Sequence, residues 1–194
     1  MHYEEKTFDL PEMEGLSTKQ IETHLKLYSG YIKNVNGLMD DINTLKQDSE
    51  KNARALSELA RRFGFEWNGM RMHEYYFEAL GGDGKPGGEI VNLIEDQYGS
   101  IDTWMAEFRA IAMMRGAGWA VLTLDTESGN LHSIWVNDHE LGQLAGAKVL
   151  IALDVWEHAY LIDYLPAGRG DYITAFFNNL KWDVIERRLT EAQK

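Results

Sequence analysis

One change of period divides this chain and limits what it can fold into. From Ile21 to about Lys46 the residues Ile21, Leu25, Tyr28, Ile32, Val35, Leu38, Met39, Ile42 and Leu45 recur at the spacing of a helix with one buried face. Beyond Gly118 the pattern is that of strands. Gly118–Leu124 and Leu131–Val136 flank a turn at Asp125–Asn130, and Ala147–Asp154 is apolar enough to be a buried third strand. Helices first and a short antiparallel sheet later predict the α+β class: an N-terminal α-hairpin followed by an α/β domain with a three-stranded antiparallel sheet flanked by helices.

The boundary between the two regimes is Gly81-Gly82-Asp83-Gly84-Lys85-Pro86-Gly87-Gly88. A phosphate-binding loop would follow a strand and end in Lys-Ser or Lys-Thr, and this stretch does neither. It reads as a flexible connector, and divides the chain into units at 1–84 and 85–194. Within the first unit, residues 1–16 form an extended lead-in. Ser17-Thr18-Lys19-Gln20 opens the long helix with a hydroxyl cap, and Gln20 stands in reach of a capping box. A second helix is expected over Ser49–Arg62 and a third from Gly69 or Met70 to Leu80. The second unit is expected to hold helices at Glu89–Tyr98 and Ile101–Met114, and a terminal one at Asp171–Glu191.

Composition removes several classes of function. There is no cysteine, so disulfides, iron–sulfur clusters, thiolate zinc and cysteine nucleophiles are all excluded. Any metal must be held by nitrogen and oxygen, which suits iron, manganese or zinc. A net charge of -12 argues against nucleic acid as a partner. No apolar run is long enough to span a bilayer, so no membrane partner is expected. The segment Met1–Lys6 has neither a basic start nor an apolar run, and a cytoplasmic protein is the expectation.

Six histidines occur: His2, His24, His73, His132, His139 and His158. A lone helical histidine is ordinarily structural, and His2 and His132 carry no further signal. Asp154-Val155-Trp156-Glu157-His158-Ala159-Tyr160 is different, because Asp154 stands where an apolar strand ends. A carboxylate there needs a cation or several donors. His158, four residues on, can converge with it on one ion, or simply hydrogen-bond to it. Spacing alone does not choose.

This heptapeptide resembles the signature of the iron/manganese superoxide dismutase family, and the likeness extends along most of the chain. Gly116-Ala117-Gly118-Trp119, Arg169-Gly170-Asp171-Tyr172 and Asn179-Leu180-Lys181-Trp182 resemble family segments of the second half. Ile21-Glu22-Thr23-His24, Gly30-Tyr31-Ile32-Lys33-Asn34 and Asn68-Gly69-Met70-Arg71-Met72-His73 resemble those of the first. The resemblance implies one iron or manganese ion per chain, held by His24, His73, Asp154 and His158 with a position left open. It implies an aromatic surround of Trp119, Trp156, Tyr76 and Trp182, although composition alone makes each simply core.

It also implies superoxide as substrate, entering past Tyr31 under the local guidance of Arg169 and Lys33. His139, fifteen residues before Asp154, stands where many members carry a glutamine, and matches the histidine of archaeal-type members. It is expected to hydrogen-bond the solvent on the metal. Tyr31 is seven residues after His24, one fewer than the family spacing, yet seven residues return to almost the same helix face. Tyr28 and Leu161 replace a histidine and a tyrosine that meet across the family's dimer interface, so Tyr28 is a candidate for part of the missing relay. The resemblance implies a homodimer, with a tetramer as the alternative, in which Glu157 reaches the partner subunit's His158. Two rival readings are a mononuclear metal hydrolase, which lacks an evident general base, and a family member that binds metal without turnover.

Overall fold

A computed structural model describes residues 2–194. Helix α1 spans Thr18–Leu45, and Ser17 caps it by accepting the Gln20 N–H at 3.1 Å. Its buried residues Gln20, Ile21, His24, Tyr28, Ile32 and Val35 follow the predicted stripe. That stripe packs against α2, which runs unbroken over Ala53–Glu78. The separate helices expected at 49–62 and 69–80 are therefore one. A glycine inside a helix costs only about 1 kcal/mol, and Gly69 lies on the buried face between Glu66 and Met70, where packing against α1 offsets it.

The glycine stretch after α2 is not a flexible connector. Asn179 O accepts the N–H groups of both Gly81 and Gly82 at 2.9 Å, Leu180 O accepts that of Gly84, and Lys181 N–H returns to Ala79 O at 2.7 Å. A side chain at Gly82 would stand 2.5 Å from Leu180 O, so glycine is required by a close approach of two backbones. The same approach interrupts the terminal helix, which is two helices, α5 over Arg169–Asn178 and α6 over Trp182–Ala192.

Between these lie α3 (Glu89–Tyr98), α4 (Ile101–Ala112) and three antiparallel strands, β1 (Gly118–Leu124), β2 (Leu131–Asn137) and β3 (Lys148–Asp154). The sheet order is β2-β1-β3, so β1 is central and buried throughout. Helix α4 packs on β1 and β2, and α2 and α6 pack on β3. The α+β expectation holds. Register sets Trp119 beside Asp154 and Val136, bringing the start of β1, the end of β3 and the end of β2 to one edge. Helices α1 and α2 meet that edge, and the chemistry lies there.

Candidate metal centre

Four side chains from four elements converge: His24 of α1, His73 of α2, Asp154 at the end of β3, and His158 in the short turn Glu157–Ala159. One ligand atom from each lies within 4.8 Å of all the others. His24, His73 and Asp154 are wholly buried, and His158 is partly exposed. Asp154 Oδ1 accepts the Trp156 N–H at 2.8 Å, which leaves Oδ2 to face the histidines. The Nε2 atoms of His24, His158 and His73 stand 3.0, 3.1 and 3.6 Å from it.

The tautomer of His73 decides how this cluster reads. Its Nδ1 lies 2.6 Å from Gly69 O, an acceptor, so Nδ1 must carry the hydrogen. Burial, with the neighbouring His24, holds the ring well below the usual histidine range and therefore neutral. Nε2 is then a bare lone pair, buried with no hydrogen-bond partner and aimed at a carboxylate oxygen. Two acceptors facing each other in a dry interior are unfavourable unless a cation lies between them. The donor set thus fits a metal of nitrogen and oxygen preference.

The other groups respond to the same charge. Burial works against a charged His158, but Asp154 outweighs it and raises the ring's proton affinity. Burial likewise opposes an ionised Asp154, yet His158 and His24 hold it far below the usual carboxylate range. His24 is lowered, burial exceeding its bond to Asp154.

Tyr31, half-buried, and His139, fully buried, form the wall beside these residues. Tyr31 Oη lies 2.6 Å from His139 Nε2, and its ring is 5.1 Å from that of His73. Burial keeps His139 neutral, lowering it to about 4, and pushes the Tyr31 phenol up, with Asp154 adding to the effect. His139 is no surface hairpin residue, since it sits in the turn after β2 among Trp156, Phe65 and Tyr31.

The aromatic surround is partly as expected. Trp119 lies against His73, Trp156 stacks on His158, and Tyr76 is 5.0 Å from His24. Trp182 does not belong to it. It packs on Trp104 and donates to Gly84 O. Tyr28 is fully buried with its hydroxyl 3.2 Å from Glu74 and accepting the Lys6 N–H, which ties it to the N-terminal segment. Arg169 lines a cavity of about 900 Å³ together with Trp156, Glu157 and His158, whereas Lys33 is exposed.

Two residues that sequence reasoning did not place in the centre hold it in position. Gln20, read above as a capping-box partner, donates instead to His158 O at 2.7 Å and accepts the Ile162 N–H at 3.0 Å. Its amide holds the turn that carries His158. Tyr172 donates to Asp154 O at 2.7 Å, with the Tyr76 hydroxyl 3.2 Å away. Neither gave a local signal, because each acts across more than a dozen residues of chain.

Comparisons with known proteins point to one family. The family model for iron/manganese superoxide dismutases, C-terminal domain, matches residues 86–188. A superoxide dismutase [Fe] of Sulfolobus acidocaldarius is 37% identical over 168 residues, 84% of this chain and 79% of the relative. One of Aquifex pyrophilus, also named for iron, is 35% identical over 189 residues, 94% and 88% of the two chains. A superoxide dismutase [Mn] of Haloarcula marismortui is 36% identical over 181 residues, 91% and 87%. With likeness across both halves and a buried set of three histidines and an aspartate at their junction, the chain belongs to the iron/manganese superoxide dismutase family.

Proposed function

We propose that this chain is a superoxide dismutase whose single iron or manganese ion is held by His24, His73, Asp154 and His158. The observation that carries the reading is the His73 Nε2 lone pair, buried and facing Asp154 Oδ2 at 3.6 Å. In the reaction two superoxide anions and two protons become one dioxygen and one hydrogen peroxide, so one anion loses an electron and another gains it. A redox ion in this set supplies the electron exchange between them, and the anionic Asp154 favours its more oxidised state.

The chain's own residues do the rest. Trp119, Trp156 and Tyr76 exclude bulk water from the histidines. Tyr31 and His139 are the catalytic pair, with Tyr31 Oη against His139 Nε2 forming the wall that an incoming anion passes. Tyr31 remains a phenol, since burial and the Asp154 charge oppose its ionisation, and so remains a proton donor. Arg169, half-buried with Nε and Nη2 lacking protein partners, supplies positive charge beside His158 in a chain that is otherwise strongly acidic.

The reading extends to assembly and layout. Leu161, Ile162 and Leu165, just after His158, are exposed, as are Met113 and Met114. Apolar groups beside the Glu157–His158 turn support a homodimer in which Glu157 reaches the partner subunit's His158. The units 1–84 and 85–194 supply two ligands each, which supports assembly of the centre by packing the two together. No helix among the described residues is long and apolar enough to cross a membrane, which is compatible with a cytoplasmic enzyme.

The test is reconstitution of the purified protein with iron, manganese or zinc in parallel. Dismutation with iron or manganese and none with zinc is expected. A protein inactive with both redox ions would refute the proposal.

A further inference from the structure

A second cleft, of about 520 Å³, shares no lining residue with the metal centre or with the cavity of Arg169. It opens where the end of α2, the start of β3, helix α6 and the N-terminal segment meet, and its charge is unlike that of the chain as a whole. Lys6, Lys148, Arg187 and Arg188 line it against two carboxylates, Glu78 and Glu191. In a chain of net charge -12 the cleft therefore carries a formal excess of two positive charges. Lys6 is held by Glu74 at 3.0 Å, but Glu74 is shared with Arg71 at 2.6 Å, so including both leaves the excess unchanged.

The carboxylates present do not satisfy these cations. Glu78 is divided between Arg187 at 2.6 Å and Arg188 at 2.7 Å, and Glu191 comes no nearer to Arg187 than 4.0 Å. Lys148, exposed as the first residue of β3, has no carboxylate partner among the described residues. Arg188 is only 6% exposed. Its guanidinium donates to Leu150 O at 2.8 Å and Tyr75 O at 3.0 Å and lies over the Tyr75 ring at 4.8 Å, while its Nε is buried with no hydrogen-bond partner. Burying a guanidinium against a shared carboxylate leaves part of its desolvation cost unmatched. One fixed, buried cation with three exposed ones around it is an arrangement that an anion completes.

The chemistry of that anion follows from charge and size. An excess of two positive charges matches a dianion, and guanidinium N–H groups suit phosphate oxygens, so a phosphate group fits better than a lone carboxylate. An extended nucleic acid does not fit, because the acidic remainder of the chain would repel its backbone. The volume is that of a small-molecule site, and Val149 and Ala192 offer apolar surface beside the cations. We propose that this cleft binds a small phosphate-bearing anion, either free phosphate or the phosphate group of a small ester, held by Lys148, Lys6 and Arg187 with Arg188 behind them. The site is separate from the proposed reaction and does not rest on it.

The test is isothermal titration calorimetry on the metal-loaded full chain at constant ionic strength, with inorganic phosphate, glycerol 3-phosphate and acetate as probes. One saturable phosphate site per chain is expected, with acetate at least tenfold weaker. Affinity for the ester should rise as pH increases through about 6, where the group becomes dianionic. Lys148→Glu is expected to weaken phosphate at least tenfold, and Lys148→Gln to weaken it less. Lys148 is exposed, so both variants should fold. Arg169→Ala, which removes the cation beside the metal centre, should leave this binding within twofold of wild type. Tighter binding of the ester than of phosphate would identify an ester as the ligand, and equal or weaker binding would identify free phosphate. Absence of a saturable site, equal affinity in wild type and Lys148→Glu, or a loss confined to Arg169→Ala would overturn the proposal.

Discussion

His73 meets an acceptor at each end of one ring, Gly69 O at 2.6 Å and Asp154 Oδ2 at 3.6 Å, and Gly69 has a second duty. A side chain there would come within 2.5 Å of the Tyr31 ring, so the glycine lets Tyr31 lie close to His73. Gly69→Ala is expected to displace Tyr31, break its bond to His139 and cost about 1–3 kcal/mol of stability. A crystal structure of the variant with an unmoved Tyr31 would contradict this. Gln20→Leu removes both amide bonds to the His158 turn. Loss of such a support typically weakens metal affinity ~10–100-fold, and competition with a chelator measures it. At this scale the sequence was legible through likeness to family segments, which singled out His24 and Tyr31, whereas spacing alone left Asp154 and His158 open between a shared ion and a simple hydrogen bond. It was silent on Gln20 and Tyr172, whose partners lie 138 and 18 residues away, because periodicity says nothing about what a distant segment brings. Trp182 shows the converse, since an aromatic residue within a family-like segment can belong to another cluster, here that of Trp104.

Secondary elements were legible from their periods, and the errors fall where tertiary contact overrides a local signal. Gly69 reads as a helix start in the sequence, but close packing of α2 on α1 offsets the cost of a glycine inside one continuous helix. The glycines at 81–84 looked like slack and are a backbone-to-backbone seam with 179–181. Gly82→Ala forces that seam apart and is expected to lower stability by ~1–3 kcal/mol in thermal unfolding. The end of α2 is also tied to α6, where Glu78 meets both Arg187 and Arg188. Burial pushes the Glu78 carboxyl up, but the bond and charge of Arg188 outweigh it and hold the group below its ordinary 4.5. A depressed carboxyl contributes stability above its unfolded value and loses it as pH falls through the folded one. Glu78→Gln is therefore expected to cost up to ~1 kcal/mol at neutral pH. That difference from wild type should shrink as pH drops below 4.5; a difference constant with pH would contradict the tie.

For the whole molecule, the centre exists only where the α1–α2 hairpin meets the edge of the sheet, so folding and ligand assembly are one event. Exposed Leu161, Ile162 and Leu165 extend that junction to the outside, and the homodimer reading makes them an interface. Light scattering is expected to give twice the chain mass for the wild type and the chain mass for a Leu161→Asp, Leu165→Asp variant. A wild-type monomer would contradict it. Fold class was legible at this scale because the order of periods fixes the layers, whereas assembly was legible only through the family resemblance. The most direct measurement of the central claim is metal content and superoxide dismutation on one preparation, wild type beside His73→Ala. The account predicts about one iron or manganese per chain with activity in the wild type, and loss of both in a variant that still folds. A His73→Ala protein that retained its metal and its turnover would contradict it.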